Sequence, residues 1–114
     1  VLLERNLDGF TEFLKENPQF DSIQFEIDRL AVNAYKLMAN EGIKMPEDVG
    51  IIGFDNIEAT EYTNQAITSI DQRISDQVDI AVDNLLKILN QEEAETNISL
   101  EAKLVEKETT LRAK

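Results

Sequence analysis

The chain of 114 residues contains no cysteine, no histidine and no tryptophan. Without cysteine there are no disulfides and no thiolate nucleophile, and without histidine there is no serine–histidine–acid triad and no Cys/His zinc site. A metal would have to be held by oxygen ligands alone, and acid–base chemistry would fall to carboxylates, lysine or tyrosine. Basic residues are scarce: 11 Lys+Arg stand against 23 Asp+Glu, a formal charge of −12. Such a surface repels phosphate backbones, so the chain does not itself grip DNA or RNA. No apolar run approaches the roughly 20 residues of a membrane span, and Val1-Leu2-Leu3-Glu4 lacks the basic start and long apolar stretch of a signal peptide. The first residue is not methionine, as expected of a piece of a longer protein. What is present, 42% hydrophobic and 30% charged residues with four glycines and two prolines, suits one folded domain or part of one.

Val1 to Leu3 form a short apolar run. Asn6 is placed to cap a helix carrying Leu7, Phe10, Phe13 and Leu14, which Asn17-Pro18 ends. Ile23, Phe25 and Ile27 alternate with polar residues and predict a strand, after which Asp28 reads as a helix N-cap. The following helix carries Leu30, Ala31, Ala34, Leu37 and Met38 on one face and stops at Gly42. Met45 to Asp48 form a turn. Val49 to Phe54 are a continuous apolar run between turn signals, the pattern of a strand buried on both faces. A polar connection from Asn56 to Ala66 leads to a short strand, Ile67 to Ile70. Ser75 is placed to cap an amphipathic helix bearing Val78, Ala81, Val82, Leu85, Leu86 and Leu89. Ile98, Leu100, Ala102 and Leu104 alternate as a last strand.

This alternation predicts an α/β fold: a mostly parallel sheet with helices on both faces, a Rossmann-like lobe without a glycine-rich phosphate loop. In such sheets ligands bind beyond the carboxyl ends of the strands. There the chain places Asp28, then Asp55-Asn56, then Asp71-Gln72. Asp28 is explained by capping, but no helix starts at Asp55. A carboxylate with an amide beside it suits a neutral polyhydroxyl ligand, since Asp accepts hydroxyl hydrogens and Gln both donates and accepts. Nothing pairs these acids with a nucleophile, so no catalytic residue and no cofactor is assigned, and the spacing of Asp76, Asp79 and Asp83 marks a solvated helix face and not a metal site. Asn97-Ile98-Ser99 matches a glycosylation sequon, a pattern common by chance. Lys103, Lys107, Arg112 and Lys114 form a sparse basic tail, not a nucleic-acid patch.

The segments Asp21 to Tyr35 (DSIQFEIDRLAVNAY), Gly42 to Asn56 (GIKMPEDVGIIGFDN) and Ile67 to Gln72 (ITSIDQ), with the ending Leu104 to Arg112 (LVEKETTLR), together resemble the C-terminal half of the sensor domain of LacI/GalR bacterial transcription regulators. That resemblance implies a periplasmic-binding-protein-like lobe of a cytoplasmic, homodimeric regulator that binds a small effector, usually a sugar. Residues 1–114 would be the C-terminal subdomain, lacking the N-terminal subdomain and the headpiece that would hold operator DNA. No membrane contact and no enzyme activity are implied. Residues matching Asp55 and, in some members, Gln72 contact effector, and Ile27 stands where the family has an effector-contacting Asn. Val32 and Tyr35, on what is expected to be the exposed side of their helix, match a region that packs across the dimer. The loop before Ile67 lacks the family's prolines and reads Asn64-Gln65-Ala66. The alternative is the same lobe of an extracytoplasmic sugar-binding protein of a transporter, which an upstream signal peptide would favour.

Overall fold

Four strands form one sheet in the order β1-β2-β3-β4 in a computed structural model that describes residues 7–111. They are β1 (Ser22–Gln24), β2 (Gly50–Phe54), β3 (Thr68–Asp71) and β4 (Lys103–Val105). β1 and β3 flank β2 in parallel, with Ile23 opposite Ile51 and Gly53 opposite Ser69, while β4 runs antiparallel to β3. The sheet is therefore mixed and mostly parallel, an α/β arrangement as the alternating pattern predicts.

β2 is central because its sequence tolerates burial on both faces: Gly50, Ile51 and Gly53 are all buried. Its neighbour α2 (Asp28–Asn40) packs on it through Leu30, Ala31, Ala34, Tyr35 and Met38, all buried. Leu37, grouped with that face by periodicity, is instead 40% exposed. Gly42 ends the helix with φ +78°, its N–H reaching the Ala39 carbonyl at 3.1 Å and that of Ile43 reaching Met38 at 3.0 Å. This is the paired-bond stop that glycine accommodates without strain. α1 (Phe10–Glu16) lies against α2 and sets Phe10 edge-on to Phe25, ring centres 5.9 Å apart. The cap expected at Asn6 and the run Val1 to Leu3 lie outside the described residues.

The amphipathic segment becomes α3 (Ile74–Leu89), which begins one residue before the expected cap Ser75 and has Arg73, at φ +59°, in the cap position. Ile74, Val78, Val82, Leu85, Leu86, Ile88 and Leu89 are all between 51% and 69% exposed. The Asn84 side chain of α3 donates to the Glu95 carbonyl in the segment that follows, at 2.6 Å. The chain's radius of gyration, 18.5 Å, accordingly exceeds the roughly 13 Å of a compact domain of this length. Among the described residues no helix is long and apolar enough to cross a membrane.

Candidate functional site

The carboxyl ends of β1, β2 and β3 lie side by side, and the residues after them make one rim. Asp55 leaves β2 with φ +105° and Asn56 follows at +53°. The turn thus swings away from the sheet just after the Asp55 N–H has reached the Ile70 carbonyl at 2.9 Å. Gln72, two residues beyond Ile70, donates its side-chain N–H to Asp55 Oδ1 at 2.5 Å. Both side chains are half-buried. Asp55 Oδ2 has no hydrogen-bond donor among the described residues and can accept a hydroxyl.

β1 ends at Gln24 and not at Ile27 as the alternation predicts; Ile27, in the connection to α2, is half-buried and packs against the core. It offers no polar group to the rim.

Asp28 is not a cap. Ile27 occupies the cap position of α2, and Asp28 is the first helical residue, fully buried. Its Oδ2 accepts the Ile57 N–H at 2.8 Å and its Oδ1 accepts the Ser69 hydroxyl at 2.6 Å. The reason is Gly53: a side-chain carbon there would lie 2.0 Å from Asp28 Oδ1, so the missing Cβ is the space the carboxylate fills.

Lys107 does not belong to a basic tail. Its side chain is 10% exposed and its ammonium sits 2.6 Å from Glu61 Oε1, 2.8 Å from Thr60 Oγ1 and 3.0 Å from Asn56 Oδ1. Thr68 fixes the same residue's backbone, its Oγ1 accepting the Lys107 N–H at 2.7 Å and donating to the Lys107 carbonyl at 3.0 Å. Neither Ser69 nor Lys107 is marked as a site residue by local sequence pattern. A hydroxyl residue inside the short strand Thr68–Asp71 was the only local sign of the first.

Val32 and Tyr35 are 9% and 5% exposed, so they do not form an exposed side of α2. Tyr35 donates its hydroxyl to the Gln65 side-chain carbonyl and receives the Gln65 backbone N–H at 3.2 Å. That pair tethers the proline-free connection to α2, restraint that proline would otherwise supply.

Among the described residues no group of acids could hold a metal ion. A depression of about 480 Å³ lined by Leu7, Thr11, Asn33 and Lys36, among others, includes none of the rim residues.

The family model described as "Periplasmic binding protein-like domain" matches residues 4–110. The chain belongs to that family. Over 112 residues the chain is 29% identical to the HTH-type transcriptional regulator RegA of Clostridium saccharobutylicum, covering 97% of the chain and 34% of RegA. A LacI family regulator from Arthrobacter sp. FB24, solved in complex with lactose, superposes with TM-score 0.76 at 27% identity, over 89% of this chain and 39% of that one. A periplasmic binding protein/LacI transcriptional regulator from Alkaliphilus metalliredigens QYMF, complexed with D-xylulofuranose, gives TM-score 0.73 at 31% identity, over 87% and 38%. The chain thus spans little more than a third of the length of these relatives.

Proposed function

We propose that this chain is the effector-sensing C-terminal subdomain of a LacI-type transcriptional regulator, binding a small polyhydroxyl molecule, a sugar by class, at Asp55 and Gln72 beside Ile27. The observation that carries the reading is the Gln72–Asp55 hydrogen bond across the carboxyl ends of two parallel strands. It pre-orients an acceptor and an amide toward the same ligand and leaves Asp55 Oδ2 for a hydroxyl. The complexes of two related regulators with lactose and D-xylulofuranose support the ligand class. Operator DNA would be held by a headpiece outside residues 1–114, which fits an acidic sensor. The effector would act by preferring one arrangement of two lobes over another, because only a difference in affinity between states can shift DNA binding. The homodimer expected of such a regulator belongs to the same proposal, with buried Val32 and Tyr35 shaping α2 from beneath.

The test is calorimetric titration of lactose, D-xylulose and D-ribose into the protein, wild type and Asp55→Ala. Removing a carboxylate that binds hydroxyls is expected to weaken affinity by roughly 10- to 100-fold. Unchanged affinity in Asp55→Ala refutes the site. Sequencing the reading frame upstream of Val1 separates the alternatives: a helix-turn-helix supports the regulator, and a cleavable signal peptide makes this a transporter's binding lobe.

A further inference from the structure

Asp55 and Asn56 hold φ angles of +105° and +53°, a region that residues with a side chain rarely occupy unless the surroundings enforce it. The sheet does not enforce it, because the ladder ends at the Asp55 N–H. The next two amides go elsewhere. Asn56 N–H donates to Ser69 Oγ at 3.0 Å and Ile57 N–H donates to Asp28 Oδ2 at 2.8 Å, while Ser69 donates its own hydroxyl to Asp28 Oδ1 at 2.6 Å. Both oxygens of one carboxylate therefore terminate the turn.

Asp28 is fully buried and makes no ion pair among the described residues. A buried carboxylate without a cation is costly unless hydrogen bonds replace its water. Helix capping does not explain its presence, since its oxygens accept from the Ile57 amide and the Ser69 hydroxyl and not from α2's own amides. Shape does not explain it either, because Gly53 is the residue that makes room for it.

We propose that Asp28 is a positioning residue of the effector site: with Ser69 it locks the left-handed Asp55-Asn56 turn, so that Asp55 faces Gln72 and the ligand. Lys107 braces the same turn from the other side through Asn56 Oδ1. Asp28 itself touches no ligand. The inference rests on the reading of Asp55 as an effector contact, and its test separates the two.

The test compares wild type with Asp28→Asn, which keeps the shape but turns one acceptor into a donor, and with Ser69→Ala. Amide hydrogen exchange is followed at Asn56 and Ile57 against Ile51 in the same strand, the Gln72 side-chain amide is followed by NMR, and lactose and D-xylulose are titrated. Expected in both variants are exchange at Asn56 and Ile57 at least tenfold faster relative to Ile51, a Gln72 amide signal moved toward its free position, and sugar affinity down about tenfold or more. Equal acceleration at all three amides means general loosening and overturns the proposal. So does an unchanged turn, or a loosened turn with unchanged affinity. If Asp28→Asn does not fold, Ser69→Ala, which removes one hydroxyl and leaves the carboxylate, decides by the same readings. Should the wild type bind neither sugar while exchange and the Gln72 signal respond as expected, the effector reading fails for these sugars and Asp28 still positions Asp55.

Discussion

Replacing Gly53 by alanine should be among the most damaging single-methyl additions in this chain, and replacing Gly50, three residues earlier in the same strand, should not. At Gly53 the new carbon would stand 2.0 Å from Asp28 Oδ1 and 3.1 Å from its Cγ, against an ordinary carbon–oxygen contact of about 3.3 Å. The carboxylate cannot yield cheaply, because both its oxygens are occupied at 2.8 and 2.6 Å. Overpacking costs about 1–3 kcal/mol, and losing one charge-assisted bond adds about 1.5–3 kcal/mol, so a loss of about 2.5–6 kcal/mol is expected. Domains of this size have about 5–15 kcal/mol in total. At Gly50 the nearest atoms would be the Thr109 carbonyl at 3.5 Å and the Asp21 carbonyl at 3.7 Å, ordinary contacts, so alanine there should be neutral or gain about 0.5 kcal/mol from a stiffer unfolded chain. Urea unfolding with a slope near 2 kcal/mol/M turns the low end of the Gly53→Ala loss into a midpoint lower by about 1.3 M. Because the clash is with one side chain, adding Asp28→Ala should relieve it, and the double variant should lose clearly less than the sum of the two. Gly53→Ala within about 1 kcal/mol of Gly50→Ala, or strict additivity with Asp28→Ala, would refute the argument.

The exposed stripe of α3, with Val82, Leu85 and Leu86 each more than half exposed, should make the 114-residue chain self-associate; sedimentation should show species larger than the monomer, with Leu85→Asp shifting it toward monomer, and a monomeric wild type at high concentration counts against it. Lys107→Met should lower stability by about 2 kcal/mol in the same urea assay, since Asn56 Oδ1 and Glu61 lose a shared ammonium. The Tyr62 phenol is held above its ordinary value of 10.0 by its hydrogen bond to Glu58 and by the charge of Glu61. The fold favours the neutral phenol, so this contribution is complete below the unfolded value and lost as pH rises through the folded one. Absorbance titration should show one tyrosine ionising late, and Glu58→Gln should bring it down.

What was legible in the sequence is what local patterning imposes. Val49 to Phe54 announced a central strand because burial on both faces leaves no room for polar residues, and β2 is that strand. Gly42 announced the end of α2 because its φ of +78° is open to glycine. Asp55 and Gln72 could be placed on one rim from strand order alone, and they meet there. Asp28 reads as a cap because an acid before a helical run is locally that. Its real partners, Ile57 and Ser69, are 29 and 41 residues away, and no periodicity records a pairing of that separation. Lys107 fails for the same reason, its partners Asn56 and Thr60 lying 51 and 47 residues back. α3 differs again: its apolar stripe was visible, but a stripe says that a face is to be covered and not by what.

Ile27 marks the limit from the other side. The resemblance leads one to look for an amide at that rim position, and an amide there would share with Asp55 and Gln72 the work of holding a polyhydroxyl ligand. The isoleucine packs against the core, so its place is taken by an apolar contact and not by an empty one. A sugar hydroxyl brought against it would be desolvated without a partner, a penalty of about 1–3 kcal/mol. A ligand carrying hydrogen or carbon at that point would avoid the penalty and gain the contact. On the proposed reading, therefore, the preferred effector is one that keeps hydroxyls toward the Asp55–Gln72 pair and presents an apolar edge to Ile27. A deoxy sugar binding more tightly than its parent is the expected sign, with Ile27→Asn reversing the order.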